Sequence, residues 1–137
     1  CLMMLDGQVG AVGFGLDLTK RATQAKLKAT GLPWERSKAF TGSALFSDFV
    51  PAPKSLDQLG IELLVDGSLR QKGDVSLMLY PPLIILQELA QFCQLEDYDI
   101  VMTGTPAGVG MVQAGECFQG RILDGDQELV CAEWTAA

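Results

Sequence analysis

"IELLVDGSLRQKGD", residues 61–74, sets two apolar-rich runs on either side of Asp66-Gly67. A two-residue hairpin turn of type I′ needs positive φ at both central positions, and Asp-Gly accepts it at little cost. The stretch therefore predicts two short antiparallel strands. The pattern returns in "ECFQGRILDGDQELVCAEW", residues 116–134, around Asp124-Gly125. Upstream, "LDGQVGAVGFGLDL" (5–18) predicts a turn leading into a buried strand over roughly Val9–Leu18, and "CLMM" (1–4) has the look of a strand's tail. "DYDIVM" (97–102) adds another strand. Two segments are helical instead. In "TKRATQAKLKATG" (19–31), Thr19 can cap a helix, Ala22, Ala25, Leu27 and Ala29 favour it, and Gly31 supplies the stop. "YPPLIILQELAQFCQL" (80–95) has two prolines in a first turn, then apolar residues at helical spacing. Residues 32–53 read as loop. The expectation is a mainly β (α+β) domain over 1–137, mostly sheet with two helices packed against it. The apolar face of Leu83–Leu95 is assigned to the core rather than to a dimer contact.

Composition narrows the class. With 48% hydrophobic and 20% charged residues, the chain can bury a core and is not disordered. A net charge of −7 argues against a nucleic-acid partner, whose binder needs a positive face. No apolar run approaches the roughly 20 residues that span a bilayer, so no membrane partner is expected. Cys1, Cys93, Cys117 and Cys131 are widely spaced and no histidine is present, which disfavours a zinc site. Cys93 and Cys131 lie in apolar surroundings and read as core thiols in a reducing compartment, which points to the cytoplasm.

Four places could carry chemistry, and each has an ordinary alternative. Asp17, in "GFGLDLTKRATQ" (13–24), falls where a strand gives way to a helix. A carboxylate among apolar residues must be paired, metal-bound or capping, and Asp17 or Thr19 could simply cap. Arg21 and Gln24, three apart, share a helical face that could be merely solvated. Lys38, in "WERSKAFTGS" (34–43), is a lone cation in a loop and could be an ordinary surface lysine. "TGTPAGVG" (103–110) holds three glycines, a proline and two threonines where a turn needs one or two such residues. It matches neither the phosphate-loop nor the dinucleotide fingerprint, and a structural turn is the plain alternative.

In order, "DLTKRATQ", "GLPWERSKAF", "LRQKGDVSLMLY" and "DIVMTGTPAGVG" resemble the catalytic domain of the fumarylacetoacetate hydrolase family. The likeness is strongest to its acylpyruvate hydrolase and oxaloacetate decarboxylase branch and runs from about Leu5 onward. The resemblance implies a rolled mixed β-sheet with a few short helices, commonly dimeric. It implies a divalent cation, Mg2+ or Mn2+, whose place Ca2+ can take in a crystal. The implied substrate is a small dicarbonyl or 2-oxo acid. It places the metal-binding aspartate at Asp17, the catalytic lysine at Lys38, and the substrate-facing arginine and glutamine at Arg21 and Gln24, Gln24 also being catalytic. Gly104 and Thr105 would grip a substrate carboxylate.

The implied activity is metal-dependent C–C bond hydrolysis of acylpyruvate- or fumarylpyruvate-type acids, with 2-oxo acid decarboxylation or isomerisation as the alternative within the family. The family's Glu-x-Glu ligands, and its water-activating histidine and glutamate, have no counterpart among these residues. The expectation is therefore that residues precede Cys1 and that a loop is missing between Met4 and Leu5. A non-catalytic β scaffold that has lost its metal site is the reading from another class.

Overall fold

The computed structural model describes all 137 residues. The chain divides into two compact units, one of residues 1–14 with 47–137 and one of residues 15–46.

The first unit holds two four-stranded sheets. One has the order β5-β2-β1-β8, with β1 at Leu2–Leu5, β2 at Gln8–Val12, β5 at Val50–Pro51 and β8 at Ile100–Val101. The other has the order β10-β9-β6-β7, with β6 at Leu59–Val65, β7 at Ser68–Asp74, β9 at Cys117–Asp124 and β10 at Gln127–Thr135. Every strand pair is antiparallel. Both expected hairpins form. Asp66 and Gly67 turn with φ of 51° and 73°, and Val65 pairs with Ser68. A third hairpin of the same kind forms at Asp6-Gly7 (φ 51° and 74°), joining β1 to β2.

Strand periodicity builds the core. Along β9, Phe118, Gly120 and Ile122 alternate inward. Gly120 is the gap in that row. A Cβ there would lie 2.3 Å from the Phe14 ring, so the ring occupies the space where a side chain would stand. Phe14 is buried, and its ring lies 6.2 Å from that of Trp134. Leu2, Met4, Val12, Leu63 and Val65 fill out the interior of this unit.

The second unit contains β3 (Gly15–Asp17), paired with β4 (Ala44–Phe46), and the helix α1 (Arg21–Ala29). The strand expected over Val9–Leu18 is thus two strands in different sheets. Gly13 and Phe14 make the break. Phe14 N–H donates to Ser47 Oγ and Ser47 N–H donates to Phe14 O, both at 2.9 Å, pairing the residues where the chain leaves the first unit and returns. Residues 32–53, expected to be loop, contain a 3-10 turn at Glu35–Ser37 and the short strands β4 and β5. Strands of two or three residues show no alternation, and only their partners reveal them.

The helices depart from expectation in their packing. α1 buries none of its residues and ends at Ala29, capped by Thr30 and followed by Gly31 at φ +65°, where the sequence places the stop. α2 spans Pro82–Leu89, shorter than the 80–95 pattern, with Pro82 at its first position. Of its residues only Pro82 is buried, and Leu83, Ile84 and the following Phe92 are exposed. The apolar face assigned to the core is therefore uncovered in this chain. Cys131 is exposed and Cys93 half-buried, so neither is a core thiol, and all four thiols are free.

Candidate functional site

Within residues 15–46, alternation along β3 buries Leu16 and turns Asp17 outward. After β3, Leu18 N–H donates to Ser43 O (2.8 Å) and Lys20 N–H to Ser37 O (3.0 Å). Ser37 is fully buried, and its hydroxyl donates to Trp34 O at 2.5 Å. These bonds fix the 3-10 turn, and Lys38 follows it directly. The Lys38 ammonium lies 2.6 Å from Asp17 Oδ1 and donates to Thr19 Oγ1 at 2.7 Å. An ammonium has three donors, so one N–H remains for an incoming acceptor. Asp17 is half exposed, and a pair in that setting contributes no more than about 1 kcal/mol to stability. Its effect is to hold a cation in place.

Neither Asp17 nor Thr19 caps α1. The residue at the cap is Lys20, which makes no side-chain capping bond, while the Thr19 hydroxyl serves Lys38 and the Asp17 carbonyl (3.4 Å). Arg21 and Gln24 stand in the first turns of α1, Arg21 exposed and Gln24 half-buried. Their side chains make no hydrogen bond or ion pair, which leaves both available to a ligand.

Gly104 and Thr105 belong to the other unit, in the loop that follows β8. That loop runs along β7, the edge strand of its sheet. Gln71, on β7, donates from Nε2 to Thr105 Oγ1 and to Pro106 O, both at 2.8 Å. Gly108 has φ +103°, and a Cβ there would lie 2.1 Å from Arg70 O. Gly73 makes room from the strand side, since a Cβ on it would come within 2.9 Å of Pro106. The loop's composition thus has a physical cause. Gly108 adopts a left-handed φ against a backbone carbonyl, which no residue with a side chain can do there. Covering β7 also shields a row of unpaired edge groups. Thr105 itself is exposed.

Two residues of this arrangement were not legible from the sequence: Thr19 as the partner of Lys38, and Gln71 as the anchor of the loop. Gln71 lies within "LRQKGD", which reads simply as hairpin strand. The polar run Arg70-Gln71-Lys72, on what proves to be an edge strand, was the available signal.

A hard divalent cation takes about six oxygen ligands. No three His, Cys, Asp or Glu side chains come together in this chain, and Asp17 already faces Lys38. Asp17 can offer one donor, and the residues of this segment do not complete a metal site. An apolar groove of about 830 Å³, bounded by Met4, Val9, Leu83, Leu86 and Phe92, includes none of Asp17, Thr19, Arg21, Gln24, Lys38, Gln71, Gly104 and Thr105. No helix is long and apolar enough to cross a membrane.

The model of the fumarylacetoacetate (FAA) hydrolase C-terminal family matches residues 8–133. The mitochondrial oxaloacetate tautomerase of Homo sapiens is 41% identical over 110 residues, covering 79% of this chain and 50% of that protein. The crystal structure of a fumarylacetoacetate hydrolase family protein from yeast superimposes with a TM-score of 0.88 at 34% identity, over 94% of this chain and 55% of that one. A fumarylpyruvate hydrolase from Pseudomonas aeruginosa, solved in complex with Mn2+ and pyruvate, does so with a TM-score of 0.78 at 38% identity, over 88% of this chain and 52% of that one. The chain spans about half the length of the curated relatives it matches.

Proposed function

This chain belongs to the fumarylacetoacetate hydrolase C-terminal family, and we propose from that membership that it is the catalytic domain of a larger enzyme acting on a 2-oxo acid through its enolate. Keto–enol exchange of oxaloacetate, its decarboxylation, and hydrolysis of an acylpyruvate all pass through such a species. The same residues can therefore serve any of the three. The human relative is named for oxaloacetate tautomerisation, which favours the isomerase or decarboxylase alternative over the C–C hydrolase reading. The Pseudomonas relative keeps hydrolysis as the second reading.

The observation that carries the proposal is the Lys38 ammonium, held on Asp17 and Thr19 with one N–H unspent. A positioned cation stabilises the negative charge that develops on the C2 oxygen as the enolate forms. Arg21 would pair with a substrate carboxylate, Gln24 would hydrogen-bond the reacting oxygens, and the Thr105 hydroxyl with the backbone at Gly104 would bind the second carboxylate. Convergence of these groups in the complete protein is part of the proposal, as is a Mg2+ or Mn2+ ion with Asp17 among its donors. The Mn2+ and pyruvate of the Pseudomonas structure support that chemistry. The exposed apolar residues Leu83, Ile84 and Phe92 support a homodimer, and the four free thiols suit a reducing compartment such as the cytoplasm.

The test is to assay the complete protein with oxaloacetate, acetylpyruvate and fumarylpyruvate, with and without Mg2+ or Mn2+. Ultraviolet loss of the oxaloacetate enol without pyruvate release identifies a tautomerase. Pyruvate from oxaloacetate identifies a decarboxylase, and pyruvate from the acylpyruvates a hydrolase. No turnover of any of them leaves a non-catalytic scaffold and ends the proposal.

A further inference from the structure

We infer that Gln71 is a positioning residue that sets the Thr105 hydroxyl as a hydrogen-bond donor toward an anionic substrate group; this rests on the functional reading above. The polarity follows from one contact. A proline carbonyl can only accept, so the side-chain atom of Gln71 facing Pro106 O at 2.8 Å must be the NH2 nitrogen and not the amide oxygen. The second N–H of that nitrogen then points at Thr105 Oγ1, also at 2.8 Å. The Thr105 oxygen accepts there. Its own proton must lie in another direction, and the side chain is exposed with no acceptor of its own.

A hydroxyl with this arrangement can give its proton to a carboxylate or an enolate oxygen. Without Gln71 the same hydroxyl could rotate, or spend its proton on a neighbouring carbonyl. The anchor is itself rigid. Gln71 pairs with Leu63 in the β6–β7 ladder, and the backbone contact between Gly108 and Arg70 O fixes the loop one residue away along the strand. Strand and loop therefore turn the hydroxyl proton away from Gln71 and leave it free to donate to an anion.

Three single variants and one double variant of the complete protein test this. Gln71→Glu keeps the size of the side chain but replaces the donor with an acceptor, which would draw the Thr105 proton toward itself. We expect KM for the 2-oxo acid to rise about tenfold or more, the loss of one hydrogen bond to a charged group, with kcat little changed. Thr105→Val should do the same. The double variant should be no worse than Thr105→Val alone, because both changes remove one interaction. Gln71→Leu should raise KM less than Gln71→Glu, since it frees the hydroxyl without reversing it. An unchanged KM in Gln71→Glu, multiplying effects in the double variant, or Gln71→Leu as the most damaging change would overturn the inference and leave Gln71 a structural strut. Should Gln71→Glu fail to fold, the Gln71→Leu and Thr105→Val cycle makes the same decision. A wild-type protein that turns over no 2-oxo acid defeats the functional reading itself, whereas an active wild type with an insensitive Gln71→Glu defeats this inference alone.

Discussion

The Asp17–Lys38 cluster and the Thr103–Gly110 loop carry the two halves of the proposed chemistry and are built on opposite physical principles. The cluster is an arrangement of charge. Its members are partly exposed, α1 beside them buries nothing, and Lys38 is held by its contacts to Asp17 and Thr19 and by the turn around the fully buried Ser37. The loop is an arrangement of shape. Gly108 presses on the Arg70 carbonyl, Gly73 yields space to Pro106, and Gln71 ties the two segments together. A site held by charge can lose its function while keeping its fold. A loop held by backbone contact cannot.

The largest effect should come from Gly108→Ala. A methyl group 2.1 Å from Arg70 O, at φ +103°, forces loop and strand apart. A loss of about 2 kcal/mol or more is expected together with weakened substrate binding, read by thermal melting and by titration with pyruvate. Unchanged melting would show that the loop is not held by shape. Lys38→Ala should do the converse. Loss of one positioned donor lowers kcat by about 100-fold in the complete enzyme, while the melting temperature moves little because the pair is partly exposed. A large drop in melting temperature with normal kcat would reverse the roles of the two regions. Asp17→Asn sharpens the same point: it should lower turnover and also weaken binding of Mn2+ measured by calorimetry, whereas metal affinity equal to that of the wild type would remove Asp17 from the ligand set.

The smallest effect concerns charge placed on a rigid sheet. The Glu62 carboxyl lies between Lys72 (2.8 Å) and Arg121 (3.1 Å) on neighbouring strands. Its pKa is held below the ordinary 4.5, chiefly by the hydrogen bond from Lys72, then by the charges of Lys72 and Arg121 acting against burial. Because the folded value is depressed, the stabilisation is present above pH about 4.5 and fades as pH falls through the folded pKa. Wild type and Glu62→Gln should therefore differ in melting temperature at neutral pH and converge in acid. A constant difference across that range would show that packing, not ionisation, sets the effect.

Local chemistry made much of this protein legible from the sequence. Asp66-Gly67 and Gly31 act through φ angles their immediate neighbours dictate, so the hairpin and the end of α1 stand where the residues indicate. The alternation in β9 likewise needs only a period of two. What tertiary structure alone decided is everything that depends on residues far apart in the chain. The split of the Val9–Leu18 run comes from Ser47 bonding Phe14. Thr19 gives up its role as a cap because Lys38, 19 positions later, reaches its hydroxyl. Gln71 becomes the anchor of Thr105 across 34 positions. Hydrogen bonds and close contacts act over about 3 Å, and sequence distance carries no trace of which residues folding will bring that near.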